Sequence, residues 1–455
     1  MENQYDVIII GSGPGGEGAA LALAKAKKTV AVVDEFYSVG GSCTHKGTIP
    51  SKALRQNIQN LIDRGDTWGV DYQELLKSTE AIIETQVQMR MNFYKKNSIN
   101  IINGRAEFVN SNSISVTMPD NSKSIYNAKN FVIATGSSPY HSPDIDFSHP
   151  RIMDSDKILR TKLKFKTMII YGAGIIGCEY ASIFRGLGID IDLINTRHRL
   201  LSFLDGEISD ALSYHLRESG IVIRNNEECE KIEAGKDKVV LSLKSSKVIS
   251  ADVILVAQGR TGNSANIGLE KLSIGTDSRG SIKVSEYYQT EKSNIYAVGD
   301  VIGFPSLASA AYDQGRLAAL HILDKSKVNK INCTIPTGIY TIPEISCIGY
   351  TEKELTDLKM PYEVGHSFFK NLTRAQIMRK TTGVLKILFH KQTLEILGIH
   401  CFGPQATEII HIGQAIMMQK NKGNTIEYFI DNTFNYPTMA EAYRVAALNG
   451  MDKLN

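Results

Sequence analysis

The sequence predicts an α/β protein in which two Rossmann-like dinucleotide-binding domains are followed by a separate α+β domain, and three observations carry that reading. An apolar strand, a Gly-rich turn, an Ala-rich helix and a second apolar strand follow one another in YDVIIIGSGPGGEGAALALAKAKKTVAVVDE, residues 5–35. The same order returns from residue 168 in MIIYGAGIIGCEYASIFRGLGIDIDLIN. From Thr337 the pattern changes to alternation and hairpins, as in GVLKILFHKQTLEILGIHCFG, and then to the helical ATEIIHIGQAIMMQK. Each strand–turn–helix–strand run is one βαβ unit, so two parallel sheets are expected.

The stretches between these units set the boundaries. Residues 45–100 read mostly as helix and 101–136 as short strands ending in FVIATGSSP, so the first domain is interrupted. ADVILVAQGRTGN then closes a strand at a Gly-Arg turn, and NIYAVGD presents a further apolar run ending in Gly-Asp, where the chain returns to the first domain. The expected division is 1–150 (first domain), 151–268 (second), 269–336 (return to the first) and 337–455 (α+β domain). A chain of 455 residues is too long for one core, and a prior of about 150 residues per domain agrees with three.

Composition narrows the partners. Lys and Arg total 51 against 48 Asp and Glu, and a net charge of +3 over this length argues against a nucleic-acid or membrane surface. The six cysteines, at positions 43, 178, 229, 333, 347 and 401, form no close pair, which speaks against a secreted disulfide framework and for a reducing compartment. No stretch approaches the roughly 20 apolar residues of a membrane helix, and the start lacks the charge and length of a signal peptide. A cytoplasmic protein acting on small molecules is expected.

Gly11, Gly13 and Gly16 fit G-x-G-x-x-G between strand and helix, the spacing that lets backbone N–H groups at a helix N-terminus approach a pyrophosphate. Asp34 ends the second strand, placed to accept from the ribose 2′-OH of an adenosine dinucleotide lacking a 2′-phosphate. Gly172, Gly174 and Gly177 repeat the fingerprint, but here the second strand ends in Asn195, with Arg197, His198 and Arg199 just beyond. A carboxylate would repel a 2′-phosphate; Asn195 can bond a hydroxyl and Arg197 or Arg199 can meet phosphate charge. Such a site accepts both NADH and NADPH, unless these cations are only a solvated loop.

Taken in order, GSGPGG, GSCTHKGTIPSKALR, ATG, GAGIIGCE, GRTGN, YAVGD and YPTMAE resemble, over essentially the whole chain, the pyridine nucleotide-disulfide oxidoreductase family, the two-dinucleotide-binding flavoproteins that include lipoamide dehydrogenase and glutathione reductase. The resemblance implies FAD in the first unit, NAD(P) in the second and a C-terminal dimerisation domain, hence a homodimer or higher oligomer. It places Asp300 on the flavin ribityl chain and adds Glu35, Gly41, Ser42, Cys43, Thr135, Gly136 and Gly259 to the cofactor-binding residues. Lys52 comes to lie near flavin N5 and pairs with Glu179, the two catalytic candidates. A helix beginning near Pro305 aims its positive end at the flavin pyrimidine ring.

Two departures from the family pattern fall together. Its disulfide reductases carry C-x4-C before the I-P-S-K segment, where a thiolate beside the flavin pairs with a second sulfur. Here the positions are Cys43 and Thr48. They also carry His before the C-terminal P-T segment as acid/base for thiols; here that position is Tyr436, with Glu441 retained, and a phenol titrating near ~10 is a poor proton shuttle at neutral pH. The parts for dithiol chemistry are missing and those for hydride transfer are present, so Cys43 reads as a packed small residue. The resemblance then implies FAD-dependent hydride transfer between NAD(H) and NADP(H) at one nicotinamide site used in turn. A diaphorase or NADH oxidase, and a non-catalytic flavoprotein partner, are the alternatives. His400 and His411 read as packing or interface residues and Cys178 as a helix-sheet packing residue, and no spacing proposes a metal.

Overall fold

The computed structural model describes residues 3–66, 72–327 and 334–454; Cys333 lies outside them. The first sheet has seven strands. Its centre is parallel: Gln4–Ile10 pairs with Val30–Asp34 on one side and Lys123–Ile133 on the other, with Val7 opposite Val30 and Ile10 opposite Ile133. Ile295–Ala297 adds to Lys123–Ile133, so the chain does come back to this sheet after the second domain. Ile8, Ile9, Val32 and Val132 are fully buried, because both faces are covered. The helices Pro14–Lys25, Tyr72–Lys96 and Ala308–Leu323 pack on the face of Ile9, Val32 and Val132, and the strands Arg105–Asn110 and Ser113–Thr117 with residues 267–274 pack on the face of Ile8, so the strands read as unbroken apolar runs. The expected helical stretch is Thr48–Arg64 and Tyr72–Lys96.

The second domain is a five-stranded parallel sheet ordered Val222–Asn225, Asp190–Asn195, Thr167–Tyr171, Val253–Val256, Ile152–Met153, beside a three-stranded antiparallel sheet of residues 229–251. Two short strands, Ser137–Pro139 and Arg260–Gly262, pair antiparallel and carry the chain between the two nucleotide-binding domains. The last domain is a five-stranded antiparallel sheet, with Ile396–Phe402 buried throughout and the helices Ala406–Met417 and Glu441–Asp452 packed on it.

These domains share a core. One apolar cluster holds Leu54 and Ile58 of the helix Thr48–Arg64, Ile183 and Phe184 of the second domain, and Ile339, Ile345 and Phe402 of the third. At about 25 cal/mol per Å2 of buried apolar surface, side chains of this size fix the three units against one another. The helix after Gly303 starts later than the sequence implies: it spans Ala308–Leu323, with extended Leu307 before it. Among the described residues no helix is long and apolar enough to cross a membrane.

Candidate active site

Both fingerprints fold the same way. Gly11 turns the chain out of its strand, and a Cβ on Gly16 would lie 1.9 Å from the Gly11 carbonyl oxygen, so glycine alone lets the helix Pro14–Lys25 start so close. Gly177 meets Gly172 at the same 1.9 Å where the helix Ile175–Gly186 begins. Gly13 and Gly174 are the extended N-cap residues, and neither helix has a side-chain cap. A Cβ on Gly174 would meet no protein atom within 4 Å. Its glycine therefore leaves room for something outside the chain, and uncapped N–H groups beside open space fit a pyrophosphate at each helix start.

The residues read as ribose partners are more occupied than the sequence shows. Asp34 is buried; one carboxylate oxygen accepts from Ser12 N–H at 2.8 Å and from its hydroxyl at 2.5 Å, the other from Phe36 N–H at 3.0 Å. Asn195, also buried, donates to Asn225 at 2.9 Å and accepts from Arg197 N–H at 3.2 Å. Buried polar groups find partners within the protein, so each shapes its own turn first: Asp34 uses three of its acceptor positions on neighbouring groups, and Asn195 one donor and one acceptor position. Glu35 is exposed beside Asp34. Arg199 is drawn into a salt bridge with Asp210 at 3.0 Å, whereas the Arg197 guanidinium donates to the Ser202 hydroxyl at 2.9 Å.

The other cofactor candidates converge from distant segments. Gly41, Ser42 and Cys43 begin the short helix Gly41–His45, which approaches the first fingerprint so closely that a Cβ on Gly41 would lie 2.8 Å from the Gly13 Cα. Asp300 accepts from the Ser137 hydroxyl at 2.9 Å, and Ser137 in turn accepts from Arg260 Nε at 2.8 Å. Thr135 and Gly136 are clasped by Asn263: the Thr135 hydroxyl donates to the Asn263 carbonyl at 2.7 Å, and Asn263 N–H donates to the Gly136 carbonyl at 2.9 Å. Asn263 stands in GRTGN, where the motif was visible but its role as a clasp was not. Gly259 has a φ of +101° just before the crossing strand.

Cys43 is a free, half-buried thiol. Burial pushes it up, and the side chain bonded to it is Thr48. Lys52 lies one turn further along that helix. Its ammonium reaches Glu179 at 2.7 Å, with 26% of the lysine and 6% of the glutamate side chain exposed, and stands 5.0 Å from the Tyr340 ring centroid. The other Glu179 oxygen accepts from Tyr340 N–H at 2.8 Å. Tyr340, from the third domain, was not foreseen, since neither its spacing nor its type marks it out. Tyr436 lies apart on the surface, 61% exposed and 2.6 Å from the Thr373 hydroxyl.

The family model described as pyridine nucleotide-disulphide oxidoreductase matches residues 5–315, and that family's dimerisation domain matches 335–447. A soluble pyridine nucleotide transhydrogenase of Colwellia psychrerythraea is 58% identical, with 99% of this chain and 98% of the relative covered. A protein of the same name from Escherichia coli O6:K15:H31 is 56% identical over the same shares. Among solved structures, the Cu(II) complex of the HOCl-induced flavoprotein disulfide reductase RclA from Escherichia coli superposes with a TM-score of 0.90 at 26% identity, covering 98% of this chain and 99% of that one. With two glycine cradles, a lysine–glutamate pair between them and matches across nearly every residue, this chain belongs to the pyridine nucleotide-disulphide oxidoreductase family.

Proposed function

We propose that this protein is an FAD-dependent enzyme that transfers hydride between NAD(H) and NADP(H) without a redox disulfide. The observation that carries the reading is the Cys43–Thr48 contact: the place of a resolving sulfur holds a hydroxyl, while the Lys52–Glu179 pair is intact. The relatives named soluble pyridine nucleotide transhydrogenase support it. Bound FAD supplies a ring that takes a hydride from one nicotinamide and yields it to another. The chain's residues do the rest. The first fingerprint, Asp34 and the Gly41–Cys43 turn hold the flavin nucleotide; the second fingerprint holds whichever nicotinamide nucleotide is present. Lys52, steadied by Glu179, presents a positive charge in a partly desolvated place, where it counts for more than in water. Asp300 is fixed by Ser137 to accept from the ribityl hydroxyls.

One nicotinamide site used in turn gives ping-pong kinetics. The dimerisation domain makes the protein a homo-oligomer, and a dimer working in the cytoplasm is the form we propose. The test is anaerobic: purified protein given NADPH and a thio-NAD+ analogue must form the reduced analogue rapidly. Oxygen consumption without that product would make it an oxidase instead. We further assign the 2′-phosphate contact to Arg197. Arg197→Ala is expected to raise Kd for NADP(H) roughly tenfold, the loss of one exposed charge-assisted bond, and to leave NAD(H) within about twofold. Equal losses for both nucleotides, measured by titrating flavin absorbance, would refute the assignment.

A further inference from the structure

Behind the Lys52–Glu179 pair, residues 340–344 of the third domain run as a strap across the helices of the other two domains. Tyr340 N–H donates to the Glu179 carboxylate at 2.8 Å, and Ile342 N–H donates to the Ser182 hydroxyl at 3.0 Å. That hydroxyl donates in turn to the Glu179 backbone carbonyl at 2.8 Å. One residue closes the strap from the other side. Arg55, three residues after Lys52 on the helix Thr48–Arg64, donates Nε–H to the Thr341 carbonyl at 3.1 Å and pairs with Glu344 at 3.2 Å. Glu344 also accepts from the Thr407 N–H at 3.2 Å and hydroxyl at 2.7 Å, at the start of the helix Ala406–Met417.

The Arg55 and Glu344 side chains are 7% and 14% exposed. A buried ion pair adds little net stability over an apolar substitute, so its usefulness lies in the geometry it fixes. The guanidinium is a planar fork, and here its prongs hold a carbonyl and a carboxylate two and five residues beyond the end of the strand Thr337–Ile339. Glu179 has its two oxygens on different masters: Lys52 and the strap. A strap that shifts takes one of them away, and the carboxylate is then free to turn off the ammonium.

Resting on the reading of this chain as a hydride-transfer enzyme, we propose that Arg55 is a positioning residue: by clamping the Tyr340–Glu344 strap it fixes Glu179, and through Glu179 the Lys52 ammonium. The third domain thereby sets the geometry of a site to which it contributes a backbone N–H and an aromatic ring.

The test uses the full-length holoprotein with Arg55→Lys and with the charge-balanced pair Arg55→Met and Glu344→Gln, which leaves no unpaired buried charge and so folds. Amide hydrogen exchange at Tyr340 and Ile342 is expected to accelerate on the order of tenfold, the effect of weakening one hydrogen bond per amide. Anaerobic flavin bleaching by NADPH is expected to slow roughly tenfold at unchanged half-saturating NADPH, as an interaction made chiefly in the transition state requires. In a Glu179→Gln background the Arg55 replacement is expected to add no further loss, because the two act through one carboxylate. Wild-type exchange at both amides, or a full additional loss in that background, overturns the proposal. A wild-type flavin that NADPH leaves oxidised overturns the functional reading instead, and the exchange measurement then decides the clamp by itself.

Discussion

Cys43 shows how a single neighbour decides what a thiol can do. Burial pushes its proton affinity up, the Thr48 side chain bonded to it opposes that, and the net direction is upward. A thiol, not a thiolate, therefore stands at this position at neutral pH, and the thiolate is the nucleophile. Thr48 is already within bonding reach of the sulfur, so Thr48→Cys places a second sulfur where a bridge can close. The variant, once oxidised, is expected to accept a second electron pair in an anaerobic titration and to lose two free thiols relative to its reduced form. Adding Cys43→Ser should restore uptake of one pair. If Thr48→Cys keeps its thiols under mild oxidant and takes one pair only, the two positions do not face each other as described.

At the scale of elements, the first domain depends on how closely the helices Pro14–Lys25 and Ala308–Leu323 pack. A Cβ on Gly315 would lie 1.9 Å from the Gly15 carbonyl oxygen, and one on Gly18 would lie 2.2 Å from that of Tyr312. Backbone cannot yield as a flexible side chain can, so Gly315→Ala is expected to cost about 1–3 kcal/mol as an overpacked contact. A lowered thermal midpoint with weaker FAD retention on dilution checks it; an unchanged midpoint would show that the helices slide apart freely. Elements of this kind were legible because their signals are local: turn glycines, apolar runs and helix starts sit within a few residues of one another. The start of Ala308–Leu323 was misplaced for a local reason as well. Pro305 resembles a first helical residue, but Ser306 has a φ of +47° and Leu307 is extended, so the helix waits until Ala308. Contacts across the fold carry no such signal. Arg55 and Thr341 are 286 positions apart, and nothing near either marks the other. Lys52 and Glu179, 127 apart, were paired only through the family resemblance. Asp34 and Asn195 were found by their place at strand ends, yet their commitment to neighbouring amides depends on burial that sequence does not show.

For the whole molecule, the second and third domains are locked at a charge cluster centred on buried Asp205 and Lys386, whose titration sets the response to acid. Asp205 caps the helix Gly206–Glu218; it accepts from the Lys386 ammonium at 2.8 Å and from Glu352 N–H at 3.1 Å. Lys386 also reaches Glu207 at 2.6 Å and Glu352, and His366 lies 2.9 Å from Glu207. Three carboxylates within 4.8 Å of one another could hold a metal ion, and here the Lys386 ammonium bonds all three. Burial pushes Asp205 and Glu207 up, but is outweighed by His400 and Lys386 for the first and by Lys386 and His366 for the second, leaving both below their ordinary values of 3.8 and 4.5. Their contribution is therefore complete above about pH 4.5 and is lost as pH falls through the lower folded values. Lys386 runs the other way: burial lowers it, three carboxylates more than restore it, and its contribution is lost only as pH rises beyond 10.5. His400 acts first. Fully enclosed, it is pushed below 6.5 by burial, so the unfolded chain takes up that proton before the folded one and stability declines as pH drops below 6.5. The thermal midpoint is thus expected to hold level near neutrality, fall from pH 6.5 downward, and fall more steeply below 4.5. His400→Gln, which can still donate to the Tyr350 carbonyl that His400 meets at 2.8 Å, should flatten the first decline, with half-buried His215 and buried His321 keeping a residual slope. Lys386→Met, which strands buried Asp205, should cost about 3 kcal/mol at pH 7 and markedly less at pH 4. If calorimetry finds the same decline between pH 6.5 and 5 in His400→Gln as in the wild type, proton uptake lies elsewhere and the lock does not govern acid stability.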